Sequence, residues 1–313
     1  MAYNIDDGAT TLAPGDAFAA LGNETRMSIL RSLWDSEGPL TFSALQDATG
    51  INDPGRFHYH LDQLTTHFVE QSDEGYDLRG AGESVIRAVL AGAITENPKF
   101  GPTELESNCP YCGGTAVASY ADETFSARCT QCGGLVEGEA FPPGTFMKYK
   151  FPPAGIVDRT PDEVLEVAHV LYDAKITAMF EQVCPECAGP VVFNFDICSE
   201  HELADRGICE TCKTRRMVWL QPVCENCRYS RSFPAWFAIA TNPAVVSFYY
   251  EHGVQWNRVP FSKLTWENAP YSVNIEEEVP SNDPLEIRFS IPLDNDELRI
   301  TVDAELNVTQ VIR

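Results

Sequence analysis

Lysine is scarce in this 313-residue chain: six of its 22 cationic side chains are lysine, against 46 aspartates and glutamates, for a formal net charge of −24. So acidic a balance argues against a polyanion held by charge alone. Long hydrophobic runs are missing as well. No stretch of 18 apolar residues occurs, and MAYNIDDGATTLAPGD at the N-terminus has neither the basic segment nor the apolar core of an export signal. A cytoplasmic location with no membrane partner is therefore expected. There is no nucleophile beside a base, no carboxylate pair in a cleft context and no glycine-rich phosphate loop, so the chain is expected not to be an enzyme. His67, His169 and His252 are isolated, and none of them reads as a catalytic base. Unpaired cysteine is rare too. Ten of the 11 cysteines fall in five C-x-x-C pairs, and the remaining one, Cys198, has His201 at the same offset. Without an export signal these thiols stay reduced, which points to metal ligation and away from disulfides.

What is present suffices for several packed cores, at 44% hydrophobic residues. The expected class is α+β. Residues 1–97 read as a helical unit closed by a hairpin, 103–141 as a four-cysteine ribbon, and 142–313 as an α+β region containing a two-metal module at 184–227. In the first part, Phe18, Leu21, Met27, Leu30, Leu33 and Trp34 recur at helical spacing, with Asn23 as a cap. Thr41 starts a helix that Gly50 stops, and Asp53-Pro54 starts the next. FVEQ, SDEG and YDL then read as strand, turn and strand, and a helix over about 81–90 ends ahead of Pro98 and Pro102, which mark a linker. Further on, 142–159 is Pro/Gly-rich. Thr160, Pro161 and Glu163 open a long helix expected to be mostly buried, Asn242-Pro243 opens another that stops at Gly253, and the last 43 residues read as a four-stranded meander.

The metal ligands can be assigned by spacing. Cys109-x2-Cys112 and Cys129-x2-Cys132, each followed by Gly-Gly, match a zinc ribbon, in which a tight knuckle supplies two thiolates and a hairpin returns two more. The remaining candidates, Cys184, Cys187, Cys198, His201, Cys209, Cys212, Cys224 and Cys227, number eight, so the twelve close into three four-ligand sites with no thiol left over. Three Zn2+ per chain are expected. The segments GPVVFNFDI and RRMVWLQPV read as unbroken strands, too long for their two ends to meet at one ion. The grouping is therefore nested: Cys184, Cys187, Cys224 and Cys227 at one end of a ladder, and Cys198, His201, Cys209 and Cys212 at the other.

Three helices followed by a hairpin is the order of a winged helix-turn-helix, whose second turn helix enters the major groove. Setting Phe57, Leu61 and Leu64 on the core face leaves Gly55, Tyr59 and Asp62 opposite them, flanked by Arg56, His58 and Gln63. Of these, Gly55, Arg56, His58, Tyr59 and Gln63 are the candidate DNA contacts, on a polar face with donors suited to base edges and phosphates. AFAALGNETRMSILRSL, LTFSALQDATGI, GRFHYHLDQL and a wing ending in GYDL together resemble the ArsR-type winged helix regulators over about 80 residues. The resemblance implies a homodimeric, sequence-specific binder of double-stranded DNA, with 55–63 as reading helix and 70–77 as wing. The sequence departs from the metal-sensing members in lacking cysteine in FSALQDAT, and its wing tip, Ser72-Asp73-Glu74, opposes phosphate. The remainder looks more loosely like haloarchaeal regulators with a C-terminal zinc-binding region, and the acidic, lysine-poor surface matches proteins of salt-loving archaea. A transcriptional regulator is the leading expectation. A general transcription factor of the transcription factor E type, a protein-docking winged helix and a metal- or redox-responsive switch stay open, as does a small-molecule effector.

Overall fold

The computed structural model describes residues 12–254 and 275–313. Residues 1–11 of the expected first domain and 271–274 of the expected meander lie outside the described residues. The chain divides into two compact units, 1–96 and 97–313. Among the described residues no helix is long and apolar enough to cross a membrane.

The first unit contains α1 (Pro14–Leu21), α2 (Glu24–Trp34), α3 (Phe42–Thr49), α4 (Pro54–Asp62), β1 (Val69–Ser72), β2 (Gly75–Leu78) and α5 (Gly80–Leu90). Short polar side chains begin three of its helices by satisfying the first free N–H groups. Asn23 Oδ1 accepts from Thr25 and Arg26, Thr41 Oγ1 accepts from Ala44, and Asp53 Oδ1 accepts from Gly55 and Arg56 at 2.9 and 3.0 Å. Each such cap is worth ~1 kcal/mol. Ile29, Leu30 and Leu33 of α2 meet Leu45, Phe57, Leu61, Leu64 and Ile86 in one core. The β1–β2 hairpin gains a third element at Leu40, which exchanges backbone hydrogen bonds with Tyr76 at 2.9 and 2.8 Å. Gly75 permits this approach, because a Cβ there would lie 2.4 Å from the Leu40 carbonyl oxygen. Phe18 does not join the core as its spacing suggested and is 76% exposed. Ala17, Ala20 and Leu21 face inward instead, and Phe18 lies about 100° round the helix from Ala17.

The second unit opens with an antiparallel sheet of β3 (Phe100–Glu104), β4 (Ala116–Ala121), β5 (Thr124–Cys129) and β6 (Thr145–Lys150), in that order. Its outer strands come from segments that read as linker and loop. Pro102 is tolerated because β3 is an edge strand and the ladder shifts register between Phe100 and Thr103. Strand β6 pairs with β5 along its length, so the boundary expected at 141/142 falls inside this sheet. After α6 (Pro161–Phe180) come β7 (Val191–Ile197), β8 (Val218–Cys224) and the short β9 (Phe233–Pro234), then α7 (Pro243–Glu251). The meander of β10 (Glu276–Asn282), β11 (Leu285–Leu293), β12 (Asp296–Val302) and β13 (Val308–Ile312) closes the unit.

Helix α6 is the spine of this unit. A reciprocal Thr160–Glu163 capping box starts it, and its 20 residues span about 30 Å. Val164, Leu165 and Ala168 pack into the first sheet beside Tyr120, Phe125 and Phe151. One and two turns on, Tyr172 and Ile176 enter a second core with Leu220 and Phe233, Phe248 and Tyr249 of α7, and Ile287, Phe289 and Ile300 of the meander. Met179 closes a third cluster with Cys184, Val191 and Cys224. All three cores contact the same stripe, spaced by three or four residues, so the helix is buried on one face only. Val170 and Leu171, 62% and 41% exposed, correct the expectation of a mostly buried helix.

Candidate metal centres and nucleic-acid interface

Four of the six C-x-x-C/H pairs are built identically. The N–H of the first cysteine donates to the carbonyl five residues on, and that cysteine's own carbonyl accepts from the residue four on. These bonds join Cys109 with Gly114 and Gly113, Cys184 with Gly189 and Ala188, Cys209 with Thr214 and Lys213, and Cys224 with Tyr229 and Arg228, all at 2.8–3.1 Å. The residue after the second cysteine must be left-handed to close this loop: φ is +70° at Gly113, and +55°, +58° and +63° at Ala188, Lys213 and Arg228. Glycine reaches that conformation freely and the other three under strain. The Cys129 pair differs, its N–H donating to Gly144, and so does the Cys198 pair, which donates to Met217. In every pair the first cysteine is buried.

These turns bring twelve ligand atoms into three groups, Cys109/Cys112/Cys129/Cys132, Cys184/Cys187/Cys224/Cys227 and Cys198/His201/Cys209/Cys212, each with its atoms within 4.8 Å of one another. Each group could hold a metal ion. Strands β7 and β8 pair from Val191↔Cys224 to Ile197↔Val218 and hold the last two groups at opposite ends of the ladder. Sulfur separations of 3.7 Å for Cys109–Cys132, 3.5 Å for Cys112–Cys129, 3.6 Å for Cys184–Cys227 and 3.5 Å for Cys187–Cys224 are far beyond a disulfide. They approach the roughly 3.8 Å edge of a tetrahedron of thiolates 2.3 Å from a central ion. At His201, Nε2 lies 3.3 Å from the Arg215 carbonyl, which can only accept, so Nε2 carries the proton. Nδ1 is then the bare nitrogen, 3.4 Å from Cys212 Sγ, and the carbonyl fixes the ring's ligating tautomer.

Each group also contains a thiol prepared to ionise. A hydrogen bond from Cys109 brings Cys132 down to about 5. The Gly189 N–H and then Cys227 bring Cys187 to about 6. At Cys209 burial acts most strongly and opposes ionisation, yet the N–H groups of Cys212, Glu202 and Thr211 together outweigh it and bring the thiol to about 6.

The first group and the histidine-containing group are tied to each other by backbone. Gly133 N–H donates to Arg206 O, Arg206 donates back to Cys132 O, and Glu137 N–H donates to Lys213 O. Arg215 donates through Nε to Gly134 O and lies 4.5 Å from the Tyr111 ring centroid. Two guanidinium groups thus stand beside two thiolate-rich centres. Spacing alone did not reveal these arginines or the left-handed Ala188, Lys213 and Arg228; position four after the first cysteine is the signal that finds the latter.

In the first unit, α4 buries Phe57, His60 and Leu61 and exposes Gly55, Arg56, His58 and Tyr59, with Gln63 exposed just beyond its end. Tyr59 is 60% exposed. The hairpin beside it is acidic: Glu70 stands directly opposite Asp77 in the ladder, and Asp73 and Glu74 form the tip.

Residues 106–308, well over half of the sequence and including all twelve ligands, match the family described as Domain of unknown function (DUF7351). The chain belongs to the DUF7351 family. Residues 14–89, which run from α1 almost to the end of α5, match a second description, Domain of unknown function (DUF7347). The DUF7351 region begins just before the first knuckle and ends at the start of β13, so it takes in the second unit's metal groups and most of its meander. No curated protein and no solved structure matches the chain.

Proposed function

We propose that the chain is a sequence-specific, non-enzymatic transcriptional regulator that binds double-stranded DNA through a winged helix-turn-helix in its first unit, with three structural Zn2+ ions organising the second. The observation that carries this reading is α4. Its core residues are buried while Arg56, His58, Tyr59 and Gln63 are exposed to solvent, and the β1–β2 hairpin that follows in the chain would serve as the wing. Exposed Phe18 on α1, Leu90 at the end of α5 and Ile94 in the turn after it offer apolar surface to a second copy, consistent with a homodimer. Sulfur-rich tetrahedral sets favour Zn2+, and four protein ligands leave no open coordination position, so the ions act as staples.

The acidic hairpin favours one further reading, in which this unit docks on a protein, as a general transcription factor would. Titration of operator and scrambled DNA separates the two. Under the leading reading Arg56→Ala and Tyr59→Ala weaken operator binding and relax its preference by about 1–3 kcal/mol per lost base contact, with zinc content unchanged. Asp73→Asn strengthens binding to any sequence, most at low salt, by removing a charge that opposes phosphate. Folded Arg56→Ala and Tyr59→Ala proteins with unaltered affinity and preference would transfer support to docking, as would chromatin occupancy at most active promoters in place of a few.

A further inference from the structure

Residues 1–96 contain 15 aspartates and glutamates, five arginines and no lysine. Four of the arginines are engaged within the unit. Arg26 donates from Nη2 to the Ala19 carbonyl at 2.6 Å and from Nε to that of Ala20, closing the C-terminal end of α1. Arg79 donates to the Thr66 carbonyl. Arg31 pairs with Asp35 at 3.0 Å at the end of α2, and Arg87 pairs with Glu83 on α5 while lying 5.4 Å from the Trp34 ring centroid. Releasing Arg26 or Arg79 would take the donor from a backbone carbonyl, and each i,i+4 pair is neutral as a unit. Among the described residues, Arg56 is the one arginine of this unit whose guanidinium makes no hydrogen bond or ion pair, and it is exposed.

Its place in the chain gives that free cation a role. Arg56 is the third residue of α4, and the N-terminal residues of a reading helix are the ones that meet base edges. The usual phosphate holders nearby carry the wrong sign. Asp53 Oδ1 already takes the Gly55 and Arg56 N–H groups that a phosphate would use, and Asp73 and Glu74 occupy the hairpin tip. A guanidinium fork matches the O6 and N7 acceptors of guanine. We propose that Arg56 of each protomer reads a guanine edge and is the unit's one cation at the DNA, so that affinity comes from base contacts and falls only weakly with salt. This assignment rests on the DNA-binding reading of α4. Two such cations in a homodimer give a log–log salt slope of about −1.8, or about a 12-fold loss of affinity from 50 to 200 mM salt, whereas roughly six to ten phosphate contacts lose about 10³–10⁵-fold.

The metal-loaded full chain is used to enrich duplexes from a random-sequence pool, and affinity for the enriched duplex is measured over that salt range at about pH 8, above the ordinary histidine range. The expected slope is no steeper than about −3. Each half-site contains a guanine whose replacement by 7-deazaguanine, which lacks the N7 acceptor, weakens wild-type binding about 10-fold and leaves Arg56→Ala unaffected. Arg56→Ala also flattens the slope towards zero. A steeper slope, or 7-deazaguanine losses that are the same for wild type and Arg56→Ala at every guanine, overturns the proposal and leaves the DNA-binding reading standing. Failure of the chain to enrich any sequence removes both and assigns the unit to protein docking.

Discussion

Serine at Cys198, at Cys184, or at both tests whether the two metal groups of the β7–β8 module are independent. Six residue steps separate the ends of the paired segment from Val191↔Cys224 to Ile197↔Val218, which at ~3.3 Å per step is about 20 Å. Perturbations more than ~7–10 Å apart with no shared partner add within about 0.3–0.5 kcal/mol. Cys184→Ser and Cys198→Ser should therefore each remove one ion from the three candidate groups, and the double variant two, with additive losses of unfolding free energy. Cys198→Ser with Cys209→Ser should behave otherwise. Both side chains belong to one group, so the second substitution removes nothing further, and the pair departs from additivity by roughly 0.5–3 kcal/mol. Cys129→Ser with Cys209→Ser is intermediate: two ions are lost, but Arg206 and Arg215 join the two groups and couple the energies. Elemental analysis gives the ion count, and urea unfolding at fixed m-value gives the energies. If the Cys198/Cys209 double variant lost two ions while the Cys184/Cys198 variant lost one, the nested ligand sets would be wrong.

Chelation at neutral pH should unfold residues 97–313 and leave the first unit's helices intact, because Cys109, Cys129, Cys184 and Cys224 are themselves members of hydrophobic cores; residue-resolved hydrogen exchange reads this out. Burial, then Arg26 and Arg56, lowers the pKa of His60 below its ordinary 6.5. Protons thus bind the unfolded chain first, and the stability His60 contributes, complete above about pH 6.5, is lost as pH falls through the lowered folded value; His60→Gln should flatten that acid limb in denaturant titrations. Lys213→Gly should raise thermal stability by up to about 1 kcal/mol by relieving a left-handed non-glycine residue, and Lys213→Val should lower it.

Much of the structure is legible locally. Asn23, Thr41, Asp53, Thr160 and Asn242 mark helix starts because a short polar side chain reaches only the N–H groups two or three residues on. The α4 faces follow from 100° steps, and the nested ligand sets follow from the minimum length of an unbroken strand. The α+β class and its antiparallel meander have the same origin, in period-two alternation at Ile287, Phe289 and Ile291. What the sequence by itself determines is thus whatever a residue's near neighbours decide: caps, turns, faces and knuckles. Long-range packing decides the rest. Strands β3 and β6 exist because β4 and β5 offer ladder edges that loop-like composition does not advertise, and one stripe of α6 serves three cores because those cores lie along it. The Arg206 and Arg215 bridges join residues more than 70 positions apart, and only the folded chain brings such groups within hydrogen-bonding range.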